Sequence, residues 1–321
     1  MSRRPSVAIL GATGHVGRVL TVALADRYDL TLYVRRPKEA IAFARAECAE
    51  AVVGVSPINQ FGYPQCGVRS RAHDAVLNCV GFGNPAMLGD SEADVFALTE
   101  EFDGLTFRYL AAHSESRLIS FSSGAAYGGT FEEPAGESSW AKYAANCLGP
   151  GALYGLTKLA SEARHRSTPD YPIVDLRLFG LFSRHIDPSA RYLMNSVVSA
   201  IVEGTTLVTS SEDIVRDYVD PSDLARLVTA IIGAEPMNEV FDVYSVEPVR
   251  KFALLDIFAQ RYGLTFIVEP ETVVRSATGS KLNYYSTNRR ASVVGYTPRF
   301  TSIEALLRET DAVLRILEMR T

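Results

Sequence analysis

The chain has 321 residues, 47% of them hydrophobic and 21% charged, with a formal net charge of -5. Such a composition fits a globular protein with a sizeable core, as one large or two intimately joined domains, and gives no global pull towards nucleic acid or an anionic membrane. Cys48, Cys66, Cys79 and Cys147 form no CxxC pair, and no stretch approaches the roughly 18 apolar residues of a membrane span, so neither a disulfide framework, a zinc site nor a transmembrane segment is expected. Met-Ser-Arg-Arg-Pro leads straight into Val7-Ala8-Ile9-Leu10, too short for the core of a signal peptide, and the expected location is the cytoplasm.

In chain order, predicted strands fall at Ser6–Leu10, Leu30–Val34, Ala51–Val55, Ala75–Val80, Arg117–Ser122 and Ile173–Leu178. Between the first two, Val16, Val19, Leu20, Ala23 and Leu24 mark one face of a helix over Val16–Tyr28 and complete a βαβ unit. Alternation of this kind predicts an α/β fold, a Rossmann-like doubly wound parallel sheet, over residues 1–180. After Gly180 the alternation loosens, and residues 181–321 read as a smaller α/β cap, with chain crossing between the two. That part closes on an amphipathic helix in Arg299–Arg320, through Ile303, Leu306, Leu307, Val313, Leu314 and Leu317.

Gly11-Ala12-Thr13-Gly14-His15-Val16-Gly17 follows the first strand and opens the first helix. Glycines there make a tight turn and let backbone approach a pyrophosphate, while amides at the helix start face the phosphates. Gly11, Thr13, Gly14, His15, Val16 and Gly17 are therefore assigned to a dinucleotide, with Cys79, Val80 and Gly81 at the end of the fourth predicted strand. An NAD enzyme usually offers Asp or Glu to the adenosine ribose at the end of the second strand; here the chain reads Leu32-Tyr33-Val34-Arg35-Arg36-Pro37. Two guanidinium groups in place of an acid suit a 2′-phosphate, so NADP is preferred, with NAD possible.

Tyr154-Gly155-Leu156-Thr157-Lys158 places a phenol and an ammonium on one helix face. Lys158 can hold the nicotinamide ribose and favour the phenolate of Tyr154, which then exchanges the proton of a carbonyl or alcohol; both belong to the catalytic and the cofactor-binding sets. A hydroxyl to hydrogen-bond the substrate oxygen comes from the end of Leu118-Ile119-Ser120-Phe121-Ser122-Ser123. Ser123 is the choice, with Ser122 its competitor and a further substrate contact.

Gly11–Gly17, Ser122–Gly128, Tyr154–Lys158, Arg177–Phe182 and Arg216–Asp220 together resemble the extended short-chain dehydrogenase/reductases that act on nucleotide sugars, over nearly the whole chain. The resemblance implies a Rossmann domain, a small C-terminal substrate domain and a homodimer. It also implies that Arg216, and less strongly Arg275, contact the phosphates of a nucleotide sugar, although an Arg–Asp ion pair within Arg216-Asp217 is the plainer alternative. Gly180 stands where many relatives carry an asparagine that contacts substrate, and Asp220-Pro221 departs from the commonest form of the Arg216 motif. Ser123 is followed by Gly124-Ala125 in place of the Asp-Glu of the 4,6-dehydratases, which argues against water elimination. The favoured activity is NADPH-dependent reduction of a nucleotide-linked 4-keto-6-deoxy sugar. A 4-epimerase with resident cofactor, a reductase of small carbonyl compounds and a non-catalytic NADP-sensing protein are the alternatives.

The long interval from Ser123 to Tyr154 holds Glu132-Glu133-Pro134 and Trp140 and suggests a loop over the site. His73, His113, His165 and His185 have no metal-ligand spacing, and no metal is assigned. Tyr284, Tyr285 and the Arg289-Arg290 pair read as a packed aromatic strand and a solvated charge pair.

Overall fold

The computed structural model describes residues 3–48, 52–61, 71–81, 92–146, 148, 152–190, 192–269 and 281–319. Its centre is a seven-stranded sheet in the order β3-β2-β1-β4-β5-β6-β9. The strands are β1 (Ser6–Leu10), β2 (Asp29–Val34), β3 (Val52–Pro57), β4 (Ala75–Asn78), β5 (Arg117–Ser123), β6 (Ile173–Leu178) and β9 (Glu239–Asp242). Every neighbouring pair is parallel. A parallel sheet is buried on both faces, which is why its strands are near-continuous apolar runs.

Alternation along β1 sends side chains to the two faces. Val7 and Ile9 enter a core with Leu20 and Leu24 of α1 (His15–Leu24), Ala40 and Ala44 of α2 (Pro37–Glu47), and Leu224, Leu227 and Val228 of α6 (Pro221–Gly233). Ala8 and Leu10 face the opposite core, with Phe102, Leu105 and Tyr109 of α3 (Glu92–Ala112). On that side α3 packs against α4 (Ala152–Arg166).

Two smaller sheets lie outside the main one. The first joins β10 (Val249–Arg250), β8 (Val215–Arg216) and β12 (Asn283–Tyr284); the second pairs β11 (Thr265–Val268) with β7 (Thr206–Thr209). A separate core is formed by α5 (Leu193–Glu203), α7 (Lys251–Tyr262) and α8 (Ser302–Glu318), through Val197, Leu254, Phe258 and Leu306. The start of α8 is set by a capping box, Thr301 accepting from the Glu304 amide while the Glu304 carboxylate accepts from Thr301.

Ser6–Leu10 and Ile173–Leu178 have the bounds expected from the pattern. The first helix is shorter than expected, ending at Leu24, because Ala25–Tyr28 form the turn that leads into β2. The fourth strand ends at Asn78, whose side-chain oxygen accepts from the Val80 amide and turns the chain away from the ladder. Among the described residues no helix is long and apolar enough to cross a membrane.

Candidate active site

In the sheet, β1 lies between β2 and β4, and successive connections depart from this point in opposite directions. Doubly wound sheets hold their ligands in the crevice that opens there, at the carboxyl ends of the strands. Gly11 ends β1 with φ +74, donates to Tyr33 O at 3.0 Å and lies against the end of β4: a Cβ on it would stand 3.2 Å from the Cys79 carbonyl and 3.1 Å from Val80 Cγ2. Gly17 is still more constrained, since a Cβ there would come within 2.4 Å of Gly11 O and 2.7 Å of Ala12 Cα. Only glycine lets α1 sit this close to the turn. Gly14 caps α1 without a side-chain hydrogen bond, leaving the first amides of the helix directed outward from the crevice edge.

These features fit the pyrophosphate of a dinucleotide. The His15 side chain reaches across to the segment after β6: its Nε2 lies 2.8 Å from Ser183 Oγ, and burial, helped by His185, pulls its pKa down to about 4. It is therefore a neutral tie between α1 and the segment after β6. Burial pushes the Cys79 thiol up, so it lines the crevice as a small apolar group. Arg35 and Arg36 are exposed at the end of β2, and Arg36 pairs with Glu39 at 2.8 Å in the first turn of α2.

Helix α4 brings Tyr154 and Lys158 to the carboxyl ends of β4 and β5. It fits there because Gly155 has no side chain: a Cβ would fall 2.3 Å from Ala125 O and 2.9 Å from the Tyr143 hydroxyl. Lys158 is buried, donates to Phe121 O at 3.0 Å and lies 5.9 Å from the centroid of the Tyr154 ring. Gly81 lies beside the same ammonium, with 3.8 Å between Nζ and a Cβ built at that position.

The two serine hydroxyls at the end of β5 have different partners. Ser122 donates to Glu162 Oε1 at 2.5 Å, and Glu162 is held by Arg177 at 2.6–3.1 Å. Arg177 also stands 3.6 Å from Asp242, which accepts from Tyr127 at 2.8 Å and Ser286 at 2.5 Å. This buried network joins α4, β5, β6 and β9, and Ser122 is part of it. Ser123 instead accepts from the Ala125 amide at 3.2 Å and meets the Tyr284 hydroxyl at 3.0 Å.

Tyr284 thus does more than pack in an aromatic strand. Its ring does join Phe131 at 5.0 Å and Phe179 at 5.1 Å, but its phenol reaches a serine far away in sequence. No local pattern signals such a contact. Glu162 carried a signal, since it lies one helical turn beyond Lys158 on the same face.

Arg216 does not pair with Asp217. Its Nη1 donates to the carbonyls of Val215 at 2.8 Å and Lys281 at 2.9 Å, and its guanidinium lies 5.8 Å from the centroid of Tyr284. Asp217 is buried and accepts from the Ser245 amide and the Ser302 hydroxyl, both at 3.1 Å. Asp220 caps α6 by accepting from the Ser222 amide at 2.8 Å, with Pro221 in the first turn, so the departure at Asp220-Pro221 is a helix start. Gly180 is explained as well: a Cβ would lie 2.5 Å from Asp217 O, and the close approach of the Arg216–Val219 segment leaves no room for an asparagine. Arg275 lies outside the described residues.

Glu132, Glu133, Pro134 and Trp140 line a cavity of about 540 Å³ that shares Tyr127 and Phe131 with the aromatic cluster around Tyr284. Hydrogen bonds from Leu282 to Thr130 O and from Asn283 to Phe131 O tie this loop to β12. The remaining expected histidines serve structure: His73 lies 3.2 Å from the Tyr33 hydroxyl, and His165 sits 2.8 Å from Asp175. Arg289 stacks over Tyr244 at 4.1 Å, while Arg290 pairs with Glu239 at 3.0 Å and is the exposed charge the sequence suggests.

The family model described as NAD dependent epimerase/dehydratase family matches residues 7–244, from β1 through the Tyr154/Lys158 helix to the end of β9. The chain belongs to this family. Among solved structures, it is similar to a UDP-glucose 4-epimerase from Stenotrophomonas maltophila with bound NAD and formylated UDP-arabinopyranose. That likeness has a TM-score of 0.80 at 16% identity and covers 99% of this chain and 100% of the other. A UDP-N-acetylglucosamine 4-epimerase from Methanobrevibacter ruminantium M1 superposes with a TM-score of 0.80 at 16% identity, over 98% and 100% of the chains. A dTDP-glucose 4,6-dehydratase from Bacillus anthracis in complex with NAD gives 0.75 at 12% identity, over 98% of each. No curated protein sequence matches the chain. At these identities the family member and its neighbours share the fold.

Proposed function

We propose that this family member is an NADPH-dependent reductase that converts the C4 ketone of a nucleotide-linked sugar, of the 4-keto-6-deoxy class, to an alcohol. The observation that supports it is the convergence of Tyr154, Lys158 and Ser123 at the carboxyl ends of β4 and β5, beside the glycine turn of β1. The turn at Gly11, Gly14 and Gly17 and the end of β4 would hold the dinucleotide, and Arg35 and Arg36 would take its 2′-phosphate. When bound, NADPH supplies the hydride that reduces C4.

Tyr154 gives its phenolic proton to the oxygen at C4, and the Lys158 ammonium favours the phenolate left behind until solvent returns a proton. Ser123 orients the same oxygen. The Ala125 amide donates into the Ser123 Oγ and the Tyr284 hydroxyl lies 3.0 Å away, so a ligand oxygen can take the serine proton while Tyr284 donates to the serine. Arg216, which pairs with no carboxylate among the described residues, offers its remaining N–H groups to the diphosphate. Gly124-Ala125 carries no acid that could eliminate water, and the 4,6-dehydratase reaction is set aside on that ground.

A second reading is a 4-epimerase that keeps its dinucleotide. It draws on the structural neighbours, several of which are nucleotide-sugar 4-epimerases in complex with NAD or a UDP-sugar. One experiment separates the two. Purified protein is mixed with NADPH, or with NADH, and a panel of UDP- and dTDP-linked 4-keto-6-deoxy sugars, and nicotinamide absorbance and products are followed. Stoichiometric oxidation of NADPH with formation of the alcohol is expected. Interconversion of UDP-hexoses with copurified nicotinamide and no net oxidation would replace the reductase by the epimerase.

A further inference from the structure

Beside the site lies a cation that neither the motifs nor the proposed reaction uses. Lys281 lies two residues before the start of β12 and is 4% exposed. Its Nζ stands 4.5 Å from the centroid of the Tyr284 ring and 5.1 Å from that of Phe131, so two aromatic faces cage the amine. Among the described residues it meets no carboxylate. The charged group that acts on it is a second cation, Arg216, which donates to the Lys281 carbonyl at 2.9 Å.

A buried lysine ordinarily has an acidic partner, because an uncompensated ammonium in a low-dielectric site is costly. Among the described residues no carboxylate stands between the two cations, which makes the place between them suited to negative charge. That place adjoins the reacting groups, since the ring that cages the amine is the one whose hydroxyl meets Ser123.

We infer that Lys281 belongs to the substrate site: its caged amine, set beside Arg216, receives an oxyanion of the nucleotide sugar and becomes a charged partner of that arginine only when the ligand arrives. This rests on the nucleotide-sugar reading given above. Burial, and then Arg216, pulls the pKa of Lys281 down to about 7 in the free protein. The groups facing it are Arg216 from β8, Tyr284 from β12 and the Phe131 ring from the loop; the carboxylate charge of Glu212 acts on Arg216. An anion raises the pKa of an amine it contacts, so at pH 8 the ligand brings a proton with it.

Calorimetry of the NADP-loaded protein at pH 8, in HEPES and in Tris, reads that proton. UDP-glucose, dTDP-glucose and UDP-glucuronate are suitable probes, since their diphosphates do not titrate near this pH. Uptake of up to about 0.9 proton per ligand bound is expected from an amine that starts about nine-tenths neutral. Lys281→Met should weaken binding about tenfold and abolish the uptake, whereas Lys281→Arg should keep the affinity and lose the uptake. Equal losses in Lys281→Met for UDP-glucose and UDP-glucuronate assign the amine to the diphosphate; a loss confined to UDP-glucuronate assigns it to a sugar carboxylate. Binding by the wild type without proton uptake, unchanged in Lys281→Met, overturns the inference. If none of the three sugars binds, the nucleotide-sugar reading fails, and sulfate titrated into the same protein judges Lys281 alone. Sulfate binding with proton uptake that Lys281→Met removes keeps the anion site; no uptake removes it.

Discussion

Replacing Glu162 by alanine tests whether helix α4, which carries Tyr154 and Lys158, is held by the buried network beneath it. Glu162 takes two hydrogen bonds from Arg177 Nε at 3.0 and 3.1 Å, one from Arg177 Nη2 at 2.6 Å and one from Ser122 at 2.5 Å. The paired side chains are 14% and 4% exposed. Opposite charges about 4 Å apart interact by roughly 4 kcal/mol at an effective dielectric constant of about 20. Breaking a buried pair by removing one partner costs on the order of 3–5 kcal/mol. Asp242, 3.6 Å from Arg177, keeps part of the compensation, while Ser122 loses its acceptor, and the two corrections oppose each other. Glu162→Ala should therefore lose about 3 kcal/mol, at the lower end of that range. Glu162→Gln should lose nearly as much, because an amide restores the acceptor for Ser122 but not the charge for Arg177. The Glu162→Leu/Arg177→Leu double variant should recover only part of the loss, because it removes the orphaned guanidinium but leaves Asp242, 3.6 Å from Arg177 in the wild type, held by the Tyr127 and Ser286 hydroxyls alone. Urea unfolding followed by far-ultraviolet circular dichroism measures all three. A loss below about 1 kcal/mol in Glu162→Ala, well under the cost of an orphaned buried guanidinium, would refute the reasoning.

Tyr154→Phe should lower kcat by at least about a hundredfold, the usual scale of a lost proton donor, with NADPH binding unchanged when titrated by nicotinamide fluorescence. Gly17→Ala forces a Cβ to within 2.4 Å of Gly11 O, so it should cost about 1–3 kcal/mol in unfolding experiments and weaken NADPH at least tenfold; unaltered affinity would remove the turn from the dinucleotide site. His165 is buried, which by itself lowers its pKa, but Asp175 at 2.8 Å and Asp103 at 3.6 Å outweigh burial and raise it to about 9. A histidine raised in the folded state stabilises fully below its ordinary value of 6.5 and loses that contribution as pH climbs through about 9. The difference in unfolding free energy between the wild type and His165→Gln should accordingly shrink from pH 6 to pH 9.5, and a constant difference would place the proton elsewhere.

Much of the fold was readable because it rests on local periodicity. The β1 run is apolar at consecutive positions because both sheet faces are covered, and Gly11, at φ +74, and Gly17, with a Cβ 2.4 Å from Gly11 O, hold positions in the turn that a side chain would strain. Tyr154 and Lys158 were linked by helical spacing alone. Local information stopped short where a side chain is spent on a distant partner. Ser122 and Ser123 look alike in sequence, yet Glu162 takes one hydroxyl and Tyr284 meets the other. Arg216 and Asp217 are neighbours in the chain, but Arg216 ends β8 and turns to the carbonyls before β12 while Asp217, just past the strand, is taken up by Ser245 and Ser302. Gly180, read as a lost substrate contact, is there because the backbone of Asp217 lies against it.

Sequence by itself determined the first six strands of the main sheet, the first and last helices, the glycine turn after β1 and the Tyr154/Lys158 spacing, because each depends on spacing along one element. Tertiary structure decided which serine faces Tyr284, that Arg216 turns to backbone carbonyls and not to Asp217, and why Lys281 lies caged beside it. Those outcomes depend on burial and on which charges the folded chain brings together, and both are properties of contacts between residues far apart in the chain.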